Sequence, residues 1–141
     1  MKHKKILLVI FIATLAVIWG HSMMPLAVSS EESLAITKLI QPVLHYKGDI
    51  LALDHIIRKL AHFTEYSILG IELCLLLKGR SYRFPKTIAA GAMIAAIDET
   101  IQIFSGRGAM ITDVLLDTSA VLFVSILIFI IGRKHGAAPT Q

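Results

Sequence analysis

AAIDETIQIFSGRGAMITDVLLDTSA, residues 95–120, is the stretch that decides the fold. Apolar runs too hydrophobic for a soluble protein flank a set of ionisable and amide side chains: Asp98, Glu99, Gln102, Arg107, Asp113 and Asp117. Charge inside or at the edge of a membrane span is costly, so such residues need partners or a function. We interpret this stretch as a polar hairpin that joins two membrane-spanning helices.

Composition supports a membrane protein. The 141 residues have room for a single domain, residues 1–141. Hydrophobic residues make up 55 % of the chain and mean hydropathy is +0.72, which a lipid-facing exterior accommodates better than a soluble surface. The net charge of +4 comes from short basic clusters beside apolar runs, so we expect no nucleic-acid partner. The single cysteine, Cys74, excludes an internal disulfide.

Four segments have the length and apolar character of membrane spans. A spanning helix needs roughly 20 mostly apolar residues. The candidates are residues 6–26, 57–77, 88–104 and 114–131. The two middle candidates carry charges, so hydropathy alone ranks them lower. We therefore predict an all-α membrane protein, a bundle of four transmembrane helices with a short amphipathic interfacial helix between the first and second.

The interfacial helix is expected over residues 30–46. Ser29 followed by Glu32 has the spacing of a capping box, which predicts a helix start. The segment is short and Pro42 interrupts it, so it is not expected to span. We expect it to lie on the outer membrane interface, where it anchors the chain or covers a site.

Lysine and arginine placement predicts the orientation. With four spans, the N-terminal tail, the 78–86 link and the C-terminal tail share one side and hold nine of the 14 Lys and Arg residues. The cations of that side are Lys2, Lys4, Lys5, Lys78, Arg80, Arg83, Lys86, Arg133 and Lys134. We predict a multi-pass cell-membrane protein with both termini cytoplasmic. An alternative treats residues 1–29 as a cleaved signal peptide.

A second polar run, residues 58–66, reads RKLAHFTEY. On a helix, Lys59, His62 and Tyr66 share a face, and Arg58, His62 and Glu65 form an overlapping stripe. Snorkelling explains Arg58 and Lys59 equally well. In the four-span topology, this run and the 95–120 stretch both fall near the extracytoplasmic side. We therefore predict one polar cluster there, formed by Arg58, Lys59, His62, Glu65, Tyr66, Asp98, Glu99, Gln102, Arg107, Asp113 and Asp117.

RKLAHFTEY, DETIQ and SGRGAMITD, taken in order, resemble the VanZ-like family of small integral membrane proteins. The resemblance covers roughly residues 15 to 131. It implies a cell-envelope protein from a family named for low-level teicoplanin resistance. Nine residues occupy the family's polar positions: Lys59, His62, Glu65, Tyr66, Asp98, Glu99, Gln102, Arg107 and Asp113. Asp117 and Ala120 depart from it, since an asparagine and a glycine are expected there.

Three functional hypotheses follow. In the first, the cluster binds a polar or anionic headgroup of a membrane lipid, a lipid-linked cell-wall precursor or a glycopeptide-related ligand. In the second, His62 with Glu65, or Asp98 with Glu99, acts as acid and base of an intramembrane enzyme on a lipid-linked substrate. In the third, the charges form a structural salt-bridge network.

Cofactor chemistry is not predicted by any motif. Residues Asp98, Glu99, Asp113 and His62 are conceivable metal ligands, but HExxH-like or paired His/Cys spacing is missing from the sequence. We therefore predict no metal site, and the sequence leaves the cofactor open. Glycine-rich phosphate loops and serine or cysteine nucleophile motifs are missing as well.

Overall fold

The computed structural model describes residues 2–79 and 81–136, with side chains through residue 132. These residues form five α-helices: α1 (Lys2–Ser22), α2 (Leu26–Val43), α3 (Ile50–Leu76), α4 (Arg83–Phe104) and α5 (Ile111–Gly136). The all-helical prediction is confirmed. Of the predicted cytoplasmic cations, Arg80 and the side chains of Arg133 and Lys134 lie outside the described residues.

The central element is α3, which packs against each of the other four helices and most extensively against α5. Helix α4 packs against α1, α3 and α5, whereas α2 packs on α3. The buried apolar core comes from α1, α3, α4 and α5: Ile18, Tyr66, Leu69, Leu73, Ile94, Ala95, Ala120 and Val121. Because α3 contacts four helices, part of its surface faces protein and need not be apolar.

Two glycines allow close contact with α5. A Cβ at Gly91 would lie 2.8 Å from both methyl groups of Val121. A Cβ at Gly70 would lie 2.6 Å from a Val124 methyl carbon and 3.1 Å from the Val121 Cα. Small residues at helix contacts let backbones approach closely in membrane bundles. These two positions therefore fix how near α3 and α4 lie to α5.

Three of the described helices are long and apolar enough to cross a membrane: Lys2–Ser22, Arg83–Phe104 and Ile111–Gly132. The second predicted span, residues 57–77, lies in α3, which has 27 residues but does not meet the same criterion of apolar character. Large apolar side chains are exposed along the outer surfaces of α1 and α5, including Ile6, Val9, Phe123 and Ile131. This exterior fits a membrane protein.

Several helices have different ends from those of the predicted segments. Helix α1 ends at Ser22 rather than at residue 26, and α2 begins at Leu26. Pro25 occupies the N-cap of α2 with an extended backbone, so Ser29 lies inside the helix and does not cap it. Proline can start a helix because the first turn needs no donor from its nitrogen. A helix is thus present where the short amphipathic helix was predicted, but it starts earlier, at Leu26.

Candidate functional site

The N-terminal half of α3 is tied to the start of α5 by an ion pair. Lys59 Nζ donates to Asp113 Oδ1 at 2.7 Å. Asp113 lies in the first turn of α5, where the helix dipole also favours a carboxylate. Both side chains are about one-third exposed, so this pair lies at the rim of the cluster.

One turn deeper, His62 and Asp117 form a second pair between the same helices. His62 Nδ1 lies 3.6 Å from Asp117 Oδ2, within ion-pair range but beyond a normal hydrogen bond. The Asp117 side chain is fully buried, and both of its oxygens lack a hydrogen-bond partner. The departure from the family pattern at this position therefore places a carboxylate in the interior.

Helix α4 adds two carboxylates that point to different partners. Asp98 is fully buried and accepts from Gln102 Nε2 at 3.3 Å through Oδ2, whereas its Oδ1 has no hydrogen-bond partner. Glu99 accepts from the backbone nitrogen of Met110 at 2.9 Å and thereby holds the α4–α5 turn. Although adjacent in sequence, Asp98 and Glu99 therefore have different hydrogen-bond partners.

His62, Asp98 and Asp117 come from three helices and meet in one place. One potential ligand atom of each lies within 4.8 Å of those of the other two. The hydroxyl of Tyr66, fully buried on α3, lacks a hydrogen-bond partner. The sequence predicted convergence of these helices but no metal site, and the fold places three possible ligands of one ion together.

Arg107 lies in the turn between α4 and α5, where Gly106 and Gly108 adopt positive φ. Its Nη1 donates to the backbone oxygen of His21 on α1 at 3.1 Å. Among the residues with described side chains, no carboxylate lies within ion-pair distance of it. Burial, and then the neighbouring charge of Arg58, lower the pKa of Arg107. This guanidinium thus has a free capacity for an anion.

Arg58 is held by a polar contact between α2 and α3 that includes Asp54. Arg58 Nε lies 3.0 Å from Asp54 Oδ2 and 2.9 Å from Ser33 Oγ. Ser33 also donates to Asp54 Oδ1, and Thr37 Oγ1 donates to the same oxygen at 2.9 Å. Burial raises the pKa of Asp54, but these hydrogen bonds and Arg58 outweigh it, so the pKa is lowered.

The sequence analysis did not predict the polar contact between α2 and α3. The spacing of Asp54 and Arg58, four residues apart on one helix, is a signal that would have found their ion pair. The contributions of Ser33 and Thr37 carry no comparable signal, because they depend on how α2 packs on α3.

Two adjoining cavities open beside these side chains. Both are lined by Arg58, His62 and Arg107. The first is completed mainly by α1, α2 and α3, with His21, Glu32, Ser33 and Glu65 in its lining. The second is completed by α3, α4 and α5, with Lys59, Gln102 and Asp113. The predicted cluster residues that line neither cavity are Tyr66, Asp98, Glu99 and Asp117.

Glu65 and Glu72 lie in different surroundings. Glu65 is half-buried and lines the first cavity, while His62 pairs with Asp117. Glu72 is buried two turns further along α3. Its Oε1 accepts a hydrogen bond from Thr14 Oγ1 of α1 at 2.8 Å. Glu72 therefore belongs to a separate contact between α1 and α3.

Comparison with known proteins identifies a family. The sequence model described as VanZ/LLP1 matches residues 6–132, nearly the whole chain. No curated protein and no solved structure matches the chain.

Proposed function

The chain belongs to the VanZ/LLP1 family, and we propose that it is a four-span cell-envelope protein that binds an anionic lipid headgroup near the extracytoplasmic face. One observation carries the binding proposal: Arg58 and Arg107 line the same two cavities, and Arg107 has no carboxylate partner among the residues with described side chains.

The proposed topology uses α3 as the fourth span. Its 27 residues extend about 40 Å at 1.5 Å per residue, enough to cross a bilayer. Its polar residues lower its hydropathy, but Tyr66 and Glu72 are buried against other helices rather than exposed to lipid. Charged residues of membrane helices characteristically face the bundle interior. With α3 counted, both termini fall on the lysine-rich cytoplasmic side.

Helix α2 is proposed to lie on the outer interface. Its polar side meets α3 through Ser33 and Thr37, and Leu39 and Val43 are each 76 % exposed. A helix with one polar face against protein and exposed leucine and valine suits the boundary between headgroups and acyl chains. In that position α2 forms one wall of the first cavity.

Anion binding follows from the arrangement of the two guanidiniums. Arg107 donates to a backbone oxygen and has no carboxylate partner among the residues with described side chains, whereas Arg58 is paired with the Asp54 carboxylate. Arginine binds phosphate oxygens through a planar set of donors, and such charge-assisted bonds are strong in partly buried sites. A phosphate group between them would offset their mutual repulsion. Lys59 and His62 border the same second cavity.

Binding is tested with defined lipids. We expect native mass spectrometry of the purified protein to retain phosphatidylglycerol in preference to phosphatidylcholine. Arg107→Gln should weaken phosphatidylglycerol retention about tenfold, consistent with loss of one charge-assisted contact. Arg83→Gln, at the start of α4 and distant in sequence from the cluster, is the matched control. Equal retention by the wild-type protein and Arg107→Gln would contradict headgroup binding at this site.

The natural ligand is proposed to be a lipid-linked cell-wall precursor, because its phosphate groups offer the same anionic oxygens as a phospholipid headgroup. We further propose that binding of this precursor affects teicoplanin tolerance. Deleting the protein should then change teicoplanin sensitivity, and wild-type protein should restore it. Arg107→Gln should fail to restore it at normal protein abundance. If the Arg107→Gln protein restored wild-type teicoplanin sensitivity, the antibiotic phenotype would not depend on the arginine pair.

An intramembrane enzyme remains a second candidate because His62 lines both cavities while Asp117 lies against its ring. A histidine oriented by a buried carboxylate can act as a general base. The expected result is hydrolysis of a lipid phosphate by wild-type protein and its loss in His62→Gln. A purely structural network predicts instead that His62→Gln and Arg107→Gln both lower protein abundance.

A further inference from the structure

We infer that His62, Asp98 and Asp117 form a binding site for one divalent transition-metal ion of the Zn²⁺ or Mn²⁺ type. The site lies beside the arginine-lined cavities but uses different residues from the arginine pair. It does not depend on the proposed headgroup binding, because the observations that support it concern buried atoms without partners.

The three residues are brought together by the fold. His62 comes from α3, Asp98 from α4 and Asp117 from α5. One potential ligand atom of each lies within 4.8 Å of those of the other two. Two atoms bonded to one tetrahedral ion at about 2.1 Å lie roughly 3.4 Å from each other. The 3.6 Å from His62 Nδ1 to Asp117 Oδ2 is close to that separation and too long for a good hydrogen bond.

Unpartnered polar atoms point to a missing ligand. Asp98 Oδ1, both Asp117 oxygens and His62 Nδ1 are buried and have no hydrogen-bond partner. The Asp98 and Asp117 side chains are both fully buried. A buried carboxylate without a partner is expensive, and a cation is the occupant that compensates two carboxylates at once.

Neighbouring cations do not provide this compensation. Lys59 is bonded to Asp113, and Arg107 to the backbone oxygen of His21. Among the residues with described side chains, His62 is the basic group within ion-pair distance of Asp117, and none is within that distance of Asp98. Gln102 donates to Asp98 Oδ2, a contact that would orient the carboxylate toward a metal.

The ligand types select the class of ion. One imidazole nitrogen with two carboxylate oxygens suits Zn²⁺, Mn²⁺ or Fe²⁺, whereas Mg²⁺ and Ca²⁺ prefer oxygen ligands alone. His62 also lines both cavities, so an ion would have a path from solvent. Three protein ligands leave at least one coordination position open.

Metal content provides the first test. The protein is purified without a polyhistidine tag, equilibrated with Zn²⁺ or Mn²⁺ and desalted. Its metal content is then measured by inductively coupled plasma mass spectrometry. We expect about one ion per chain, reduced at least tenfold in Asp98→Asn and Asp117→Asn. Glu72→Gln removes another buried carboxylate, which lies in the separate α1–α3 contact, and should retain the ion. Wild-type content no higher than that of Asp117→Asn would overturn the proposal.

Thermal unfolding gives a second measurement that does not depend on retention during desalting. Zn²⁺ or Mn²⁺ should raise the Tm of wild-type protein, and EDTA should reverse the increase, because an ion that binds only the folded state stabilises it. Neither addition should shift the Tm of Asp98→Asn or Asp117→Asn. If these variants are more stable than wild type and metal leaves the wild-type Tm unchanged, the site holds no ion. Arg107→Gln should keep the metal response, which separates this test from headgroup binding.

Discussion

Asp117 Oδ2 on α5 lies 3.6 Å from His62 Nδ1 on α3, inside the bundle and below the more exposed Lys59–Asp113 pair. The two pairs are one helical turn apart on both helices, so they form two successive cross-links between α3 and α5. The outer pair is partly solvated and the inner carboxylate is fully buried. They therefore differ in energetic role although both join α3 to α5.

The outer pair should contribute modestly to stability. A double-mutant cycle with Lys59→Met and Asp113→Asn is expected to give a coupling of about 0.5–1 kcal/mol, because both side chains are about one-third exposed. The measurement is unfolding of the four proteins in mild detergent. Raising salt should reduce the coupling, since exposed charges are screened. A coupling near zero would show that the 2.7 Å contact does not persist.

The glycines beside Val121 should resist substitution. Gly70→Ala and Gly91→Ala are each expected to destabilise the fold by about 1–3 kcal/mol, because the new methyl group overlaps atoms of α5. Gly70 should be the more sensitive, since the Val121 backbone is among its near neighbours and cannot move alone. Thermal unfolding in detergent measures both.

Gly20→Ala is the matched control for these two substitutions. Gly20 also lies in a helix, but nothing lies within 4 Å of a Cβ at this position. Helix propensity favours alanine there, so its Tm should equal or exceed that of wild type. If all three variants lost stability equally, close packing against α5 would not explain the effect.

Membrane topology separates three spans from four. In a Cys74→Ser background, Ser81→Cys should react with a membrane-impermeant maleimide only after permeabilisation, whereas Ala109→Cys should react in intact cells. Four spans place the α3–α4 link inside and the α4–α5 turn outside. If α3 does not cross the membrane, the two labelling patterns exchange. Both sites lie in turns outside the helices, so labelling does not require the bundle to open.

Helix α3 also shows how far the sequence predicts the fold. Apolar length identified α1, α4 and α5, which have exposed apolar surfaces. In α3 the polar residues and Glu72 reduce hydropathy, because a central helix meets protein on several sides. Residues 57–77 were predicted as a span from their apolar length, although their charges rank them lower by hydropathy alone.

The candidate site was predicted in its composition but not in its pairings. Topology placed the polar ends of α3, α4 and α5 together, and the Lys59–Asp113 and His62–Asp117 contacts follow from that convergence. Helical periodicity could not establish which carboxylate faces His62, because that depends on the rotation of α5 against α3. It also gave no sign of the hydrogen bonds from Ser33 and Thr37 to Asp54, because these two residues lie on another helix.

The contact between α2 and α3 should depend on acidity through Asp54. Its pKa is lowered in the folded protein from an ordinary value of 3.8, so its stabilising effect is complete above that value. The effect is lost as pH falls through the lower folded pKa. We expect Asp54→Asn to lower the Tm at pH 6, and the difference from wild type to shrink progressively as pH falls below 3.8. A Tm difference that is unchanged by acid would contradict the charged state of Asp54.

Thr14 and Glu72 provide a test of a buried polar contact far from the cluster. Thr14→Val leaves the Glu72 carboxyl group, 5 % exposed, without the donor that reaches its Oε1 at 2.8 Å, while its Oε2 already lacks a partner. We expect a loss of about 1–3 kcal/mol in the free energy of unfolding, the usual cost of an unsatisfied buried group. Replacing both partners, as in Thr14→Val with Glu72→Leu, should recover most of that loss, because no buried polar group then remains unpaired. Unfolding in detergent measures the single and double variants. A double variant less stable than Thr14→Val alone would instead indicate that the Glu72 carboxyl group has another role in the bundle.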